Sequence, residues 1–141
     1  MSRIYWDAML FVYLIEQHTD YGPTVQQALD RMSDRGDSLC TSIFTLGEVL
    51  VKPYALGANS IAEEIKTFLR SPSVELLPFD EAAVDHYARI RAKHKVTPPD
   101  AIHLATAAAA NVDVFVTNDR ALHKLLVPGI QFVVRTDADF F

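Results

Sequence analysis

A chain of 141 residues, half of them hydrophobic, can bury a full core as one domain, 1–141, without metal or disulfide staples. Its net charge of −5 argues against a protein that holds nucleic acid on a broad basic surface, and a single cysteine excludes an internal disulfide and a cysteine-based zinc site, which fits a reducing cytoplasm. No apolar stretch approaches the roughly 20 residues of a membrane span, and the run Ala8–Ile15, closed by Glu16 without a small-x-small pattern, reads as a folded element and not a signal peptide.

In chain order, Arg3–Trp6 reads as a short buried strand that Asp7 ends, and Met9, Leu10, Val12, Tyr13 and Leu14 then begin a helical pattern. Residues 21–34 form a second helix with Val25, Ala28, Leu29 and Met32 on one face, closed by Arg35-Gly36-Asp37. Ser38–Ser42 is a strand, and Thr45-Leu46-Gly47-Glu48 opens the next helix, with Pro53 a kink near its start and Gly57 its end. Residues 61–69 are amphipathic, Val74–Leu77 gives a third strand, and Asp80 caps a helix through Ile90. The basic cluster 89–95 at its end suits the helix dipole, with contact to an RNA backbone as the alternative.

The segment VTPPDAIHLATAAAA, residues 96–110, is the centre of the chain. Thr97 is a suitable N-cap, Pro98 a suitable first residue, and Ala101, Ile102, Leu104, Ala105 and Ala108 mark a helix body too apolar to face water. Asp100 sits in its mouth, as a capping-box partner of Thr97 or as a metal ligand. Residues 112–116 form a strand, Thr117-Asn118-Asp119 leads into a helix with Leu122, Leu125 and Leu126, Pro128-Gly129 turns, and residues 130–134 make a last strand before a tail over 137–141. Strands alternating with helices predict an α/β fold, a central parallel sheet of about five strands with helices on both faces.

In such sheets ligands bind beyond the carboxyl ends of the strands. Asp7, Glu48, Asp100 and Asp119 all fall at that rim. Each alone has a capping explanation. Together, four carboxylates in one crevice repel and raise one another's pKa unless a cation shares the site. Oxygen donors without cysteine, and without a His-x-x-x-His pair, suit Mg²⁺ or Mn²⁺ better than Zn²⁺. A two-metal carboxylate site suits phosphodiester hydrolysis, with Asp7 the bridging candidate, Asp100 and Asp119 completing one site, and Glu48 holding the second ion or orienting water. Ser42, Thr117 and Asn118 stand beside the strand ends as supporting polar groups or as turn formers. His103, one turn beyond Asp100, reads as a packed, hydrogen-bonded histidine rather than a base.

At these residues the sequence resembles the PIN-domain nucleases, in particular the VapC-type ribonuclease toxins. IYWDAMLFVYLIE, SIFTLGEVLVKPY, TPPDAIHLATAAA and VFVTNDRAL occur in the family's order across essentially the whole chain. Ala8 and Met9 stand where many relatives have a hydroxyl after the first Asp, and Ala121-Leu122 replaces a frequent Asp-Phe pair. The resemblance implies a PIN fold, a Mg²⁺- or Mn²⁺-dependent endoribonuclease acting on RNA, a frequent homodimer and a cognate antitoxin. It carries the family's acidic positions onto Asp7, Glu48, Asp100 and Asp119. An aspartyl-phosphate phosphatase would need Asp-x-Asp, which Asp7-Ala8-Met9 lacks, and neither the paired acids nor the late lysine of a receiver module is present. The alternative is a catalytically silent RNA-binding or assembly module on the same fold.

Overall fold

The computed structural model describes residues 1–17 and 19–136, so the tail expected over 137–141 lies outside the described residues. Five strands, β1 (Arg3–Trp6), β2 (Ser38–Ser42), β3 (Val74–Leu77), β4 (Val114–Val116) and β5 (Phe132–Val134), form one sheet in the order β3-β2-β1-β4-β5. Every neighbouring pair is parallel, with Ile4 opposite Leu39 and Val114, and Tyr5 opposite Cys40 and Phe115. Six helices connect them: α1 (Ala8–Ile15), α2 (Gly22–Arg35), α3 (Ile43–Ala55), α4 (Asn59–Leu69), α5 (Glu81–Lys93) and α6 (Pro98–Ala109). None is long and apolar enough to cross a membrane.

Strand parity divides the interior into two cores. Ile4 and Trp6 of β1 face α1 to α4, where they pack with Phe11, Val25, Met32 and Leu69. Tyr5 faces the other way, stacked on Phe115 with centroids 4.9 Å apart, and joins Leu104, Ala105 and Ala108 of α6. The alanines of α6 let its backbone lie close to the sheet, and Ala101, Ala105 and Ala107 are wholly buried. Cys40 is a free core thiol whose pKa burial pushes up to about 12, so it stays protonated. The apolar faces of α2 and α4 are absorbed into the first core through Val25, Met32, Ile65 and Leu69.

Three local expectations change. First, α3 begins at Ile43 directly from the strand: Ser42 is its N-cap, accepting from the Phe44 N–H at 2.9 Å, while Thr45 pairs its hydroxyl with Thr41 at 2.7 Å. Glu48 therefore lies in the second turn of α3, not in a capping box with Thr45. Second, Pro53 lies in the last turn of α3 and not near its start, and Gly57, at φ +68°, follows that end. Third, among the described residues no helix follows Asp119. Residues 120–124 make successive tight turns, with Leu122 N–H to the Asp119 carbonyl and His123 N–H to the Arg120 carbonyl. Leu122 is buried but Leu126 is 85% exposed, so the leucine spacing finds no surface against which a helix could bury one face. The flanking strands are also shorter than expected, since Val112 and Ile130 lie in the connecting turns.

Gly129 closes the turn between that segment and β5 at φ +101°, and a Cβ there would sit 2.6 Å from the carbonyl oxygen of Ala108 at the end of α6. Gly129→Ala is therefore expected to lower the unfolding free energy by about 1–3 kcal/mol, read from urea denaturation; an unchanged midpoint would mean that this backbone contact is not held in solution.

Candidate active site

The chain runs outward from β1 to β3 and then crosses back through α5 and α6 to place β4 on the other side of β1. The switch point of the sheet is thus the gap between the carboxyl ends of β1 and β4, where α/β sheets bind ligands. Asp7 leaves β1 at this gap, its N–H bonded to the Val116 carbonyl at 3.2 Å. Its carboxylate caps α1 by accepting from the Met9 N–H at 3.1 Å. Burial raises the Asp7 pKa above the usual carboxylate value of 3.8, against the opposing pull of the Thr117 hydroxyl, the His103 imidazole and the N–H groups of Leu10 and Met9.

Thr117 ties the two strand ends together. Fully buried, it bonds the Asp7 carboxylate, and its Oγ1 accepts from the Asp119 N–H at 3.1 Å. Asp119 in turn accepts from the Ala121 N–H at 3.0 Å, which holds its side chain at the mouth of the turn. Asn118 points elsewhere: its Oδ1 accepts from the N–H and hydroxyl of Thr136, clamping the end of β4 to the chain beyond β5. Ser42, also buried, serves as the cap of the helix that carries Glu48.

Asp100 enters from α6, where the Thr97 hydroxyl accepts from the Asp100 N–H at 3.4 Å. Its carboxyl is raised above 3.8, first by burial and further by the negative charges of Asp119 and Glu48, while Thr97 and His103 act in the opposite direction. Asp119 and Glu48 therefore lie within the field of Asp100, and Asp7 and Asp100 both feel His103. The four acids expected from the sequence do not close into a cage: among the described residues no three His, Cys, Asp or Glu side chains are close enough to hold an ion as they stand. Their all-oxygen chemistry suits a hard divalent cation, and the mutual repulsion registered at Asp100 is what such a cation relieves.

The sequence reading missed a connection. His103 is buried, as expected, but its Nε2 meets Oε1 of Glu48 at 2.5 Å and its Nδ1 meets the Tyr5 hydroxyl at 2.7 Å. A helical spacing of three from Asp100 put His103 near the rim, but nothing local joined it to a residue 55 positions earlier.

The PIN domain family model matches residues 4–126. This chain belongs to the PIN domain family. Members of the family generally use divalent metal ions. Among curated proteins no sequence gives a significant match. The PIN domain is similar in fold to DNA-bound VapBC from Salmonella typhimurium, at 22% identity and TM-score 0.75, over 96% of this chain and 99% of that one. VapBC2 from Rickettsia felis, bound to a fragment of its promoter, matches at 19% identity and TM-score 0.69, over 94% and 98% of the two chains. Mycobacterium tuberculosis VapC20, a toxin that cleaves the sarcin-ricin loop, matches at 14% identity and TM-score 0.67, over 87% and 96%.

The raised Asp100 pKa has a definite consequence for stability. The folded PIN domain holds that proton more tightly than the unfolded chain, so the group's stabilisation is complete below about pH 3.8 and is lost as pH rises through the higher folded value. At pH 7 the ionised group therefore destabilises the metal-free protein. Asp100→Asn is expected to raise the melting temperature of that protein by a few degrees at pH 7, with the gain shrinking toward pH 3.8; a lower melting temperature at pH 7 would contradict the assigned repulsion.

Proposed function

We propose that this PIN domain is a Mg²⁺- or Mn²⁺-dependent endoribonuclease, the toxin of a type II toxin–antitoxin pair working in the cytoplasm. What supports the reading is that Asp7 and Asp119 follow the two strands that flank the switch point of the sheet, while Asp100 feels the charges of Asp119 and Glu48. Backbone capping alone would not require Asp100 to lie near either of them. The fold likeness to VapC20, which cleaves the sarcin-ricin loop, and to VapBC complexes supports the substrate class and the partner.

Asp7, Asp100 and Asp119 would hold one ion and Glu48 would share in a second or orient water. The chemistry supplied by divalent ions, when bound, is a lowered pKa for an attacking water and charge stabilisation for the leaving oxygen. The chain's own residues do the rest. Thr117 holds Asp7 and the Asp119 backbone in fixed relation, and Thr97 fixes the turn that presents Asp100. The protein's negative charge leaves RNA binding to local cations. Within the basic end of α5, Arg89 is paired with Asp85 and Arg91 bonds the Tyr87 hydroxyl, whereas Lys93 and Lys95 make no ion pair among the described residues. Those two lysines directly precede the mouth of α6 and are suited to an RNA backbone.

An antitoxin has a natural seat in the groove of about 290 Å³ formed by Val12 and Ile15 of α1, Val49 and Pro53 of α3, and Ile61 and Ile65 of α4. Glu48 lines the same groove, so a segment laid there would cover apolar surface and reach the acidic rim together. A homodimer, the other assembly implied by the resemblance, would use surface other than the buried faces of α2 and α4.

The second reading, a silent RNA-binding module, is favoured by the open spacing of the acids. One assay separates the two. Purified protein incubated with total cellular RNA is expected to give discrete fragments with Mg²⁺ or Mn²⁺ and none with chelator, and Asp7→Asn or Asp100→Asn, at native circular dichroism, should bring cleavage to background. RNA binding without metal-dependent cutting would establish the silent module instead.

A further inference from the structure

The geometry points to His103 as a positioning residue that aims Glu48, with Tyr5 holding the far side of its ring. This inference rests on the metal-site reading above but is carried by contacts that the reading does not use. Glu48 lies in the second turn of α3 and has no capping role to orient it. Its side chain is 31% exposed, and its one hydrogen bond among the described residues is to His103. A glutamate on an exposed helix face would otherwise sample several rotamers, and ordering it costs up to about 2 kcal/mol in side-chain entropy.

His103 can do this because its own ring is fixed. It is 5% exposed, set edge-on to Tyr5 with centroids 5.9 Å apart and to Phe44 at 5.6 Å. The direction of the bond to Glu48 follows from its acceptor. An ionised carboxylate oxygen only accepts, so Nε2 of His103 carries the proton and donates to Oε1 of Glu48, while the Tyr5 hydroxyl, 2.7 Å from Nδ1, holds the far side of the ring. One carboxylate oxygen is thereby clamped, and Oε2 has no partner among the described residues. The relay resembles in principle the supporting hydrogen bonds that orient metal ligands elsewhere, with the usual roles exchanged: here the histidine supports and the carboxylate is presented.

A mere tether between α3 and α6 would stabilise the fold without affecting what Glu48 binds, so the test pairs a fold-independent readout with a rescue. In metal-free protein, nitrogen NMR of the His103 ring should show Nε2 protonated, with its proton shifted and exchanging faster in Glu48→Ala; an unprotonated Nε2 overturns the proposal. In calorimetric titration with Mn²⁺ alone, His103→Leu should weaken binding by roughly 10–100-fold, and His103→Gln, whose amide N–H can reach Glu48, should recover most of the loss. Wild-type affinity in His103→Leu, or a Gln variant no better than Leu, overturns it. If His103→Leu does not fold, Tyr5→Phe replaces it: weaker Mn²⁺ binding with faster exchange of the Nε2 proton is expected, and no change in either counts against the relay. Absence of Mn²⁺ binding by the wild type would refute the metal-site reading, and the NMR result in metal-free protein then decides the His103–Glu48 relay by itself.

Discussion

The parallel pairing of β1 with both β2 and β4 is the constraint on which the site depends. Because β1 is the middle strand of the sheet, its carboxyl end lies beside that of a strand more than a hundred residues later, and the Asp7 N–H to Val116 carbonyl bond joins them. The same central position buries β1 on both faces. Parity then sends Ile4 and Trp6 to the helices α1 to α4, and Tyr5 toward α6. Tyr5 thus meets His103, one turn along α6 from Asp100, so that a single strand supplies both an acid at the rim and the support beneath it.

The alternation of strands and helices, the inward faces of α2, α4 and α6, and the αL close of α2 at Gly36 were all readable, since each depends on local periodicity or on one residue's backbone freedom. So was the rim, because a residue that follows a parallel strand or opens the next helix has little choice of edge. The start of α3 was misread because Ser42 and Thr45 are both good caps, and only the Thr41–Thr45 contact, made inside the fold, decides between them. The expected helix after Asp119 had the right leucine spacing but no neighbour for its outer leucine. The His103–Glu48 bond was out of reach for another reason: it depends on how α3 and α6 cross the sheet edge, which no single segment encodes.

Capping and charge clustering, which compete as explanations when each acid is read singly, operate together in the fold. Asp7 accepts the Met9 N–H, Asp119 accepts that of Ala121, and the turn of Asp100 is held by Thr97. These bonds fix the backbone from which each carboxylate projects, so the charges are placed with little further loss of side-chain freedom. The caps also explain how the fold tolerates the arrangement, since Asp7, Asp100 and Asp119 each have a local contact, and Glu48 has His103, to set against the repulsion.

That repulsion in turn limits what can approach. An RNA phosphate brought to the rim alone would add a fifth negative charge to four, two of which are already held above their ordinary pKa by burial. On the proposed function, Lys93 and Lys95 would draw an RNA backbone toward the start of α6, which they precede in the chain. Between the lysines and the acids the field changes sign, and a phosphodiester can cross that boundary only where positive charge offsets the carboxylates. On the function proposed above, cutting RNA at this rim and holding divalent cations there would therefore be a single requirement, since the same carboxylate charge that binds the cations repels the phosphate without them.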